Sequence, residues 1–523
     1  MRGVPYTETM PDTSPLFLGI DSSTTACKAV VWDCRGNAVS TGSCPIAMIT
    51  PRPTWYEQSA DDWWSAAVQA VRHAVEGVDA ARLKALSITH QRETFVPVDG
   101  NGRPVANGIL WLDERARGLL PELDRSVAPL HFHQLTGKRL SVNLTIAKIA
   151  WLKKNRPDVF TQAEMYLDVH GFLVRRLTGE ARTGWGCADP TGLFDMQSRC
   201  WAEPLLEAAG IRSGQLPGVC PPGTVVGTVL PSAAVECGLP AGLPVAVGIG
   251  DGQACGLGAG ITSPGDAYLS LGTSMISGIY SEACVIDPAF RTMCGGIPGT
   301  YLLETVLLGG GYTVAWFMEK VAGSPNGDTA ALREFYEQAG SELPPGSGGL
   351  IVVPYWNGVL GPYWDPAASG IVAGWRGFHT PAHFYRAILE GTAFELRLEI
   401  LGVEQALGGR IRRFIAIGGG AQSGLWRRIL ADVTGKPVFR TTVPEAAALG
   451  AGILAAAAVG YFPDVRRAAA KMTHILPDPD EPDPDRQAFY DRLFEEVYRP
   501  LFPAVRSCTD RLTAITDAGQ GTS

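Results

Sequence analysis

Two segments, one early in each half of the chain, share a build that restricts the fold. An apolar strand enters a turn of small polar residues and leaves it at once as a second strand. In LFLGIDSSTTACKAVVWD, residues 16–33, the apolar Leu16, Phe17, Leu18 and Ile20 lead into a turn at Asp21 to Thr25, and Ala29, Val30, Val31 and Trp32 lead out of it. In AYLSLGTSMISGIYS, residues 267–281, the turn is Gly272, Thr273 and Ser274. The pair suggests two similar lobes facing a cleft. Coincidence is the alternative, because turns are commonly built from Gly, Ser and Thr.

Between and beyond these hairpins, helix and strand signals alternate. Ser59 is a good N-cap with Asp61 and Asp62 behind it, and Trp64, Ala67, Val68, Val71 and Val75 then share one helical face. LKALSITHQRE reads as strand then loop, and GILWLDERAR as strand into a polar helix start. Helices are predicted over 144–155 and 161–177. LPVAVGIGDGQACGLGAG gives an apolar strand, a glycine turn bearing Asp251, and a small-residue helix; RRFIAIGGGAQSGLWRRILADVTG repeats the order around Gly418, Gly419 and Gly420. The alternation predicts an α/β architecture. At 523 residues the chain has room for two large domains. The expected division is a flexible arm over 1–15, one lobe over 16–262, a second over 263–505 and a flexible tail over 506–523.

The charge balance narrows the function. A net charge of −8 argues against a general nucleic-acid or anionic-membrane binder, since both need a basic surface. The 11 scattered cysteines form no C-x-x-C pair, which reads as reduced thiols in a cytoplasmic setting, and the first residues show no signal-peptide pattern. The most apolar run, Ala446 to Phe462, is rich in Ala and Gly and is read as a buried helix packing through small residues rather than as a membrane span.

Three glycine- or hydroxyl-rich turns at strand ends, at Ser22 to Thr25, Gly272 to Ser274 and Gly418 to Gly420, can cradle phosphate with bare N–H groups. Neither G-x-x-x-x-G-K-[ST] nor G-x-G-x-x-G is present, which argues against P-loop and dinucleotide folds. Asp21 and Asp251 each follow an apolar strand, where a carboxylate can hold Mg²⁺ or act as a base; turn-capping is the alternative role. The loop of His90, Gln91, Arg92 and Glu93 could grip hydroxyl groups with paired donors and acceptors.

Six segments, in order, resemble the FGGY family of carbohydrate kinases over about residues 16 to 465. GIDSSTTACKAVVWD is similar to its first phosphate loop, THQRETFVPVDGNGRPVANGILWLDERAR to its substrate segment, and NLTIAKIAWLKKNRP to a signature with Lys148 and Trp151 in place. GDGQACGLGAG resembles its catalytic turn, LSLGTS its second phosphate loop, and GGGAQSGLWRRILADVTGKPV its adenine-side signature. The resemblance implies two actin-like (ribonuclease H-like) lobes around a central cleft for ATP and sugar. It implies Asp251 as general base, also touching substrate, and Asp21 helping to hold Mg²⁺. Ser23, Thr24, Thr25, Gly272 and Thr273 would line the phosphates, and Gly419, Gly420 and Ser423 the adenosine. Arg92, Glu93, Trp111 and Asp113 would face the substrate.

The substrate signals divide. Gln91-Arg92-Glu93 and Gly361-Pro362-Tyr363-Trp364-Asp365-Pro366 resemble glycerol kinase motifs, whereas Trp111-Leu112-Asp113, ARTGWGCADPTGLFD and LSLGTS lean towards xylulokinases. The first expectation is an ATP-dependent kinase of a ketopentose such as xylulose. Glycerol or another polyol is the second, and an actin-like nucleotide-binding regulator without kinase activity is the alternative of another class. The partners expected are a small sugar or polyol, with no nucleic acid and no membrane; a homodimer is left open.

Overall fold

The computed structural model describes residues 13–323 and 330–520. Residues 1–12 of the expected arm lie outside them. Two six-stranded sheets organise the chain. The first comprises β1 (Leu16–Ser22), β2 (Ala26–Asp33), β3 (Ala38–Pro45), β4 (Leu83–His90), β5 (Val225–Thr228) and β6 (Pro244–Ala246), in the order β5-β6-β4-β1-β2-β3. With it run the helices α1 (Ala60–Val75), α2 (Thr145–Asn155), α3 (Val169–Thr178) and α4 (Asp251–Gly258). The second comprises β7 (Asp266–Leu271), β8 (Met275–Ser281), β9 (Arg291–Cys294), β10 (Tyr301–Leu307), β11 (Arg413–Ile417) and β12 (Val438–Arg440), in the order β9-β10-β8-β7-β11-β12. Its helices are α5 (Gly310–Lys320), α6 (Ala330–Ser341), α7 (Pro381–Leu407) and α8 (Gly424–Thr434). The chain ends with α9 (Ala446–Ala458), α10 (Val465–Met472) and α11 (Arg499–Gln520).

The two hairpins are the matching centres of these sheets. β1 pairs antiparallel with β2 and parallel with β4. β7 pairs antiparallel with β8 and parallel with β11. A third antiparallel strand follows each hairpin (β3 beside β2, β10 beside β8), and a further parallel strand follows on the other side (β6 beside β4, β12 beside β11). This repeated five-strand order is the actin-like arrangement, so the echo between the turns reflects a common topology.

Local sequence explains the elements. The Ser59 side chain accepts a hydrogen bond from the Asp62 N–H, and α1 buries Trp63, Ala67, Ala70, Val71 and Ala74. The helix over 144–155 is observed as α2, but the one expected over 161–177 begins only at Val169. Residues Met165–Asp168 pair with Phe95–Val98 as an antiparallel strand, and Asp168 then caps α3 by accepting from the Gly171 N–H. Residues 506–520 of the expected tail continue α11. Among the described residues no helix is long and apolar enough to cross a membrane, and all eleven cysteines are unpaired.

α9 is the buried small-residue helix, and its place is informative. It packs on β1, β4 and α4, so a helix from the second half of the chain covers the first sheet. A division at 262 therefore does not separate the packing units cleanly. Glycine is needed at these crossings: a Cβ at Gly19 would collide with the Ala448 carbonyl, and one at Gly450 with the Ala254 carbonyl. The Trp32 Nε1–H donates to the Ala448 carbonyl at 3.1 Å. Gly450→Ala should destabilise the protein by about 1–3 kcal/mol, because backbone is what the new methyl meets. Gly118→Ala, whose Cβ would meet nothing within 4 Å, should change stability by less than about 0.5 kcal/mol. Urea unfolding of the two variants checks the contrast.

Candidate functional site

Parallel strands deliver their carboxyl ends to one edge of a sheet, which is where open α/β sheets place their ligands. At that edge of the first sheet β1 carries Asp21 as its next-to-last residue, β4 runs into His90 to Glu93, and β6 leads to Gly250 and Asp251. At the same edge of the second sheet β7 ends at Gly272 to Ser274 and β11 at Gly418 to Gly420.

Asp251 opens α4, and its carboxylate is partly exposed, at 39 %. It meets Arg92, whose Nε lies 3.0 Å from Asp251 Oδ1. The same guanidinium donates through Nη1 to Glu304 Oε2 at 2.8 Å. Glu304 stands on β10 directly across from Arg291 on β9, and the two side chains form an ion pair. Arg291 Nη1 in turn reaches Glu93 Oε1 at 3.2 Å. Burial pushes the Glu304 carboxyl upward, but Arg92 and Arg291 outweigh it and hold the group down at about 2. Burial also opposes the charge on Arg92, and Glu304, Asp251 and Glu93 overcome it and hold its pKa well above the usual guanidinium value. The flanking glycines follow from this packing. A Cβ at Gly250 would lie 2.6 Å from Arg92 Cδ, and one at Gly252 would lie 2.9 Å from Glu304 Oε2.

The loop from His90 to Glu93 is held from behind. Glu93 has a left-handed backbone, φ 57°, and its carbonyl accepts from the Thr145 hydroxyl at 2.9 Å. Trp111 is 40 % exposed, and its Nε1–H donates to Thr24 Oγ1 at 3.0 Å, tying this region to the turn after Asp21. Thr24 donates to Gln91 Oε1, and the Gln91 amide donates to Gln58. Lys148 is fully buried; burial pulls its ammonium down to about 7, and it donates to the Trp111 and Asn143 carbonyls.

Asp113 departs from the expectation that it faces substrate. It is 0 % exposed. Its Oδ2 accepts from the Tyr56 N–H at 2.6 Å and from Arg115 Nη2 at 2.9 Å; its Oδ1 accepts from the Arg115 N–H and Nε at 2.9 and 2.8 Å. With these lone pairs engaged, Asp113 anchors Arg115, which stacks on Trp55 and reaches Glu57.

On the other side of the cleft a pocket of about 220 Å³ joins the second and third turns and is lined by Gly272, Thr273, Gly419, Gly420, Ser423 and Glu337. Ser423 caps α8: its hydroxyl accepts from the Trp426 N–H and donates to Glu337 Oε1. Gly311 at the start of α5 closes against the second turn, its N–H donating to the Gly272 carbonyl at 3.0 Å. The first turn, with Ser23, Thr24 and the exposed Thr25, does not line this pocket and lies on the Asp251 side. Asp21 is nearly buried and its Oδ1 has no hydrogen-bond partner. Burial, then the charge of Asp251, pushes its carboxyl up to about 7, with Lys28 pulling the other way.

Sequence reasoning missed Arg291, Glu304, Lys28, Gly311 and Glu337. Gly309 to Gly311 carried the signal used for Gly418 to Gly420, three glycines after an apolar strand. Arg291 and Glu304 carry no local signal.

Comparison with known proteins identifies the family. The FGGY family of carbohydrate kinases matches in two parts, its N-terminal domain over residues 16–258 and its C-terminal domain over residues 267–459. The chain is 29 % identical to a xylulose kinase of Escherichia coli K12 over 93 % of this chain and 99 % of that one. It is 32 % identical to a glycerol kinase of Citrifermentans bemidjiense over 85 % of this chain and 90 % of that one. The crystal structure of xylulose kinase from Rhodospirillum rubrum superposes with a TM-score of 0.87 at 28 % identity, covering 94 % of this chain and 99 % of that one.

Asp113→Ala should act on stability rather than on substrate recognition. Removing Asp113 leaves the buried Arg115 with Glu57 as its one carboxylate partner and strips the Tyr56 N–H of its acceptor, at a cost of about 3 kcal/mol. At a temperature where the variant is folded, its KM values for acceptor and nucleotide should both stay near the native ones. Paired melting and steady-state measurements check this.

Proposed function

Since the chain belongs to the FGGY family of carbohydrate kinases and is a sugar phosphotransferase, we propose that it moves the γ-phosphoryl group of ATP onto a hydroxyl bound between Asp251 and the Arg92–Glu93 loop. The observation that carries this reading is the Asp251 carboxylate, partly exposed at the strand edge with Arg92 Nε 3.0 Å away. Asp251 takes the hydroxyl proton as the O–P bond forms. In a loose transition state that proton leaves late, so Arg92 serves by fixing where the carboxylate points. The N–H groups of the turns at Gly272 to Ser274 and Gly418 to Gly420 bind the phosphates and the adenosine side, and Ser23, Thr24 and Thr25 approach the transferring group from the first lobe. Family membership with a base at the strand edge argues against a regulator without kinase activity.

The residues present fit a divalent cation. Asp21 holds an unpartnered buried oxygen beside a second carboxylate, an arrangement that disfavours the anion unless positive charge arrives. Bound there together with ATP, Mg²⁺ would neutralise charge on the phosphates. Asp21 would hold it, directly or through water, while Lys28, opposite Asp21 in the strand register, supplies a fixed cation nearby.

For the acceptor we put first a ketopentose such as xylulose, supported by xylulose kinase relatives matched along nearly their whole length. Glycerol is the second reading, favoured by the Arg92–Glu93 pair at the site and by the withdrawal of Asp113, a residue that leaned the other way.

An ADP-release assay over pentuloses, glycerol and tetritols tests the reading: release should depend on added acceptor, and nucleotide binding without turnover on any of them would refute it. Asp251→Asn should lower kcat by at least about 10²-fold with nucleotide affinity and melting nearly unchanged. A fully active variant would remove Asp251 as base. Asp21→Asn should raise the Mg²⁺ concentration for half-maximal rate by about tenfold or more, read by Mg²⁺ titration at saturating ATP.

A further inference from the structure

Arg92 and Glu93 reach the cleft from the first lobe, but what fixes their side chains comes from the second. Glu304 Oε2 takes Arg92 Nη1 at 2.8 Å, and Arg291 Nη1 takes Glu93 Oε1 at 3.2 Å. Glu304 and Arg291 are themselves a cross-strand pair on β10 and β9. Five charges therefore alternate in sign along Asp251, Arg92, Glu304, Arg291 and Glu93. Glu304 is fully buried, so neither of its oxygens is available to a substrate, and both are committed to arginines. With Arg92 Nε on Asp251 and one Nη1 N–H on Glu304, the N–H groups left are those of Nη2 and the second of Nη1. With Glu93 Oε1 on Arg291, the oxygen left is Oε2.

We propose that Arg291 and Glu304 are positioning residues that set acceptor specificity, presenting one guanidinium donor and one carboxylate acceptor side by side so that the site reads a vicinal diol next to the hydroxyl on Asp251. The inference rests on the kinase reading. A hydroxyl both donates and accepts, so two neighbouring hydroxyls satisfy Arg92 Nη2 and Glu93 Oε2 together. A keto oxygen only accepts, and opposite Glu93 it would leave two acceptors facing each other without a proton. The end of a ketopentose remote from its carbonyl satisfies the pair in either order, as does glycerol; dihydroxyacetone, which differs from glycerol only by a carbonyl at the central carbon, satisfies it only with that carbonyl on Arg92. Because both positioning residues lie on the second sheet, the diol reader is complete only when the two lobes sit together as they do here.

The test is steady-state kinetics of the full chain and of Glu304→Gln and Arg291→Lys, with xylulose, glycerol and dihydroxyacetone as acceptors and a melting curve for each protein. The native chain should prefer glycerol over dihydroxyacetone in kcat/KM by about twofold or more, because the ketone is restricted to one of the two orders. Glu304→Gln should raise the KM for xylulose or glycerol by at least about tenfold, leave the KM for ATP within about twofold, and shrink the preference between the matched pair. Arg291→Lys keeps the charge but loses the fork that bridges Glu93 and Glu304, and should fall between the two. If Glu304→Gln does not fold, Arg291→Lys carries the same test. A folded variant with unchanged acceptor KM, or with acceptor and ATP KM raised alike, overturns the inference and leaves the kinase reading standing. A native chain that phosphorylates none of the acceptors overturns both.

Discussion

The Arg92 guanidinium is the hinge of the electrostatics. It is buried, and a buried charge is tolerated only when paired. Its partners come from both halves of the molecule, Asp251 at the start of α4 and Glu304 on β10. The glycines on either side of Asp251 are there because Arg92 and Glu304 occupy the space a side chain would need. The loop after β4, the turn before α4 and the β9–β10 pair thus take their positions from one side chain. A paired charge at this depth is weak evidence for stability but good evidence for geometry, since misplacing any member leaves another unpaired.

A second constraint is steric. α9 lies so close to β1 and α4 that backbone meets backbone, which at Gly19 and Gly450 only glycine permits. The helix follows the turn at Gly418 to Gly420 and β12 in the chain and packs against the strand that carries Asp21. Lys28 on β2 pairs with Glu445 just before the same helix at 2.9 Å. The two sheets are in this way joined by one rigid element as well as by charge.

Much of this was legible in the sequence because it is local. The two hairpins, the N-cap at Ser59, the glycine turns and the small-residue helix each carry their signal within a few residues, and the structure shows each of them. The helix expected from 161 failed at its start because tertiary pairing with Phe95–Val98 outweighed helical periodicity. Asp113 was misplaced because a motif tells that a carboxylate is needed, not which way it faces; Arg115, two residues on, turns it inward. Arg291 and Glu304 were invisible because their meaning lies in pairing across some two hundred residues of chain, Arg92 with Glu304 above all, which no local pattern encodes.

The most direct test is a crystal structure of the chain with a non-hydrolysable ATP analogue, Mg²⁺ and an acceptor. The account predicts the acceptor hydroxyl within hydrogen-bond reach of Asp251, in line with the γ-phosphate, its neighbouring hydroxyls on Arg92 and Glu93, and the nucleotide between the turns at Gly272 and Gly418. A nucleotide bound elsewhere, or an acceptor whose reacting hydroxyl lies away from Asp251, would contradict it.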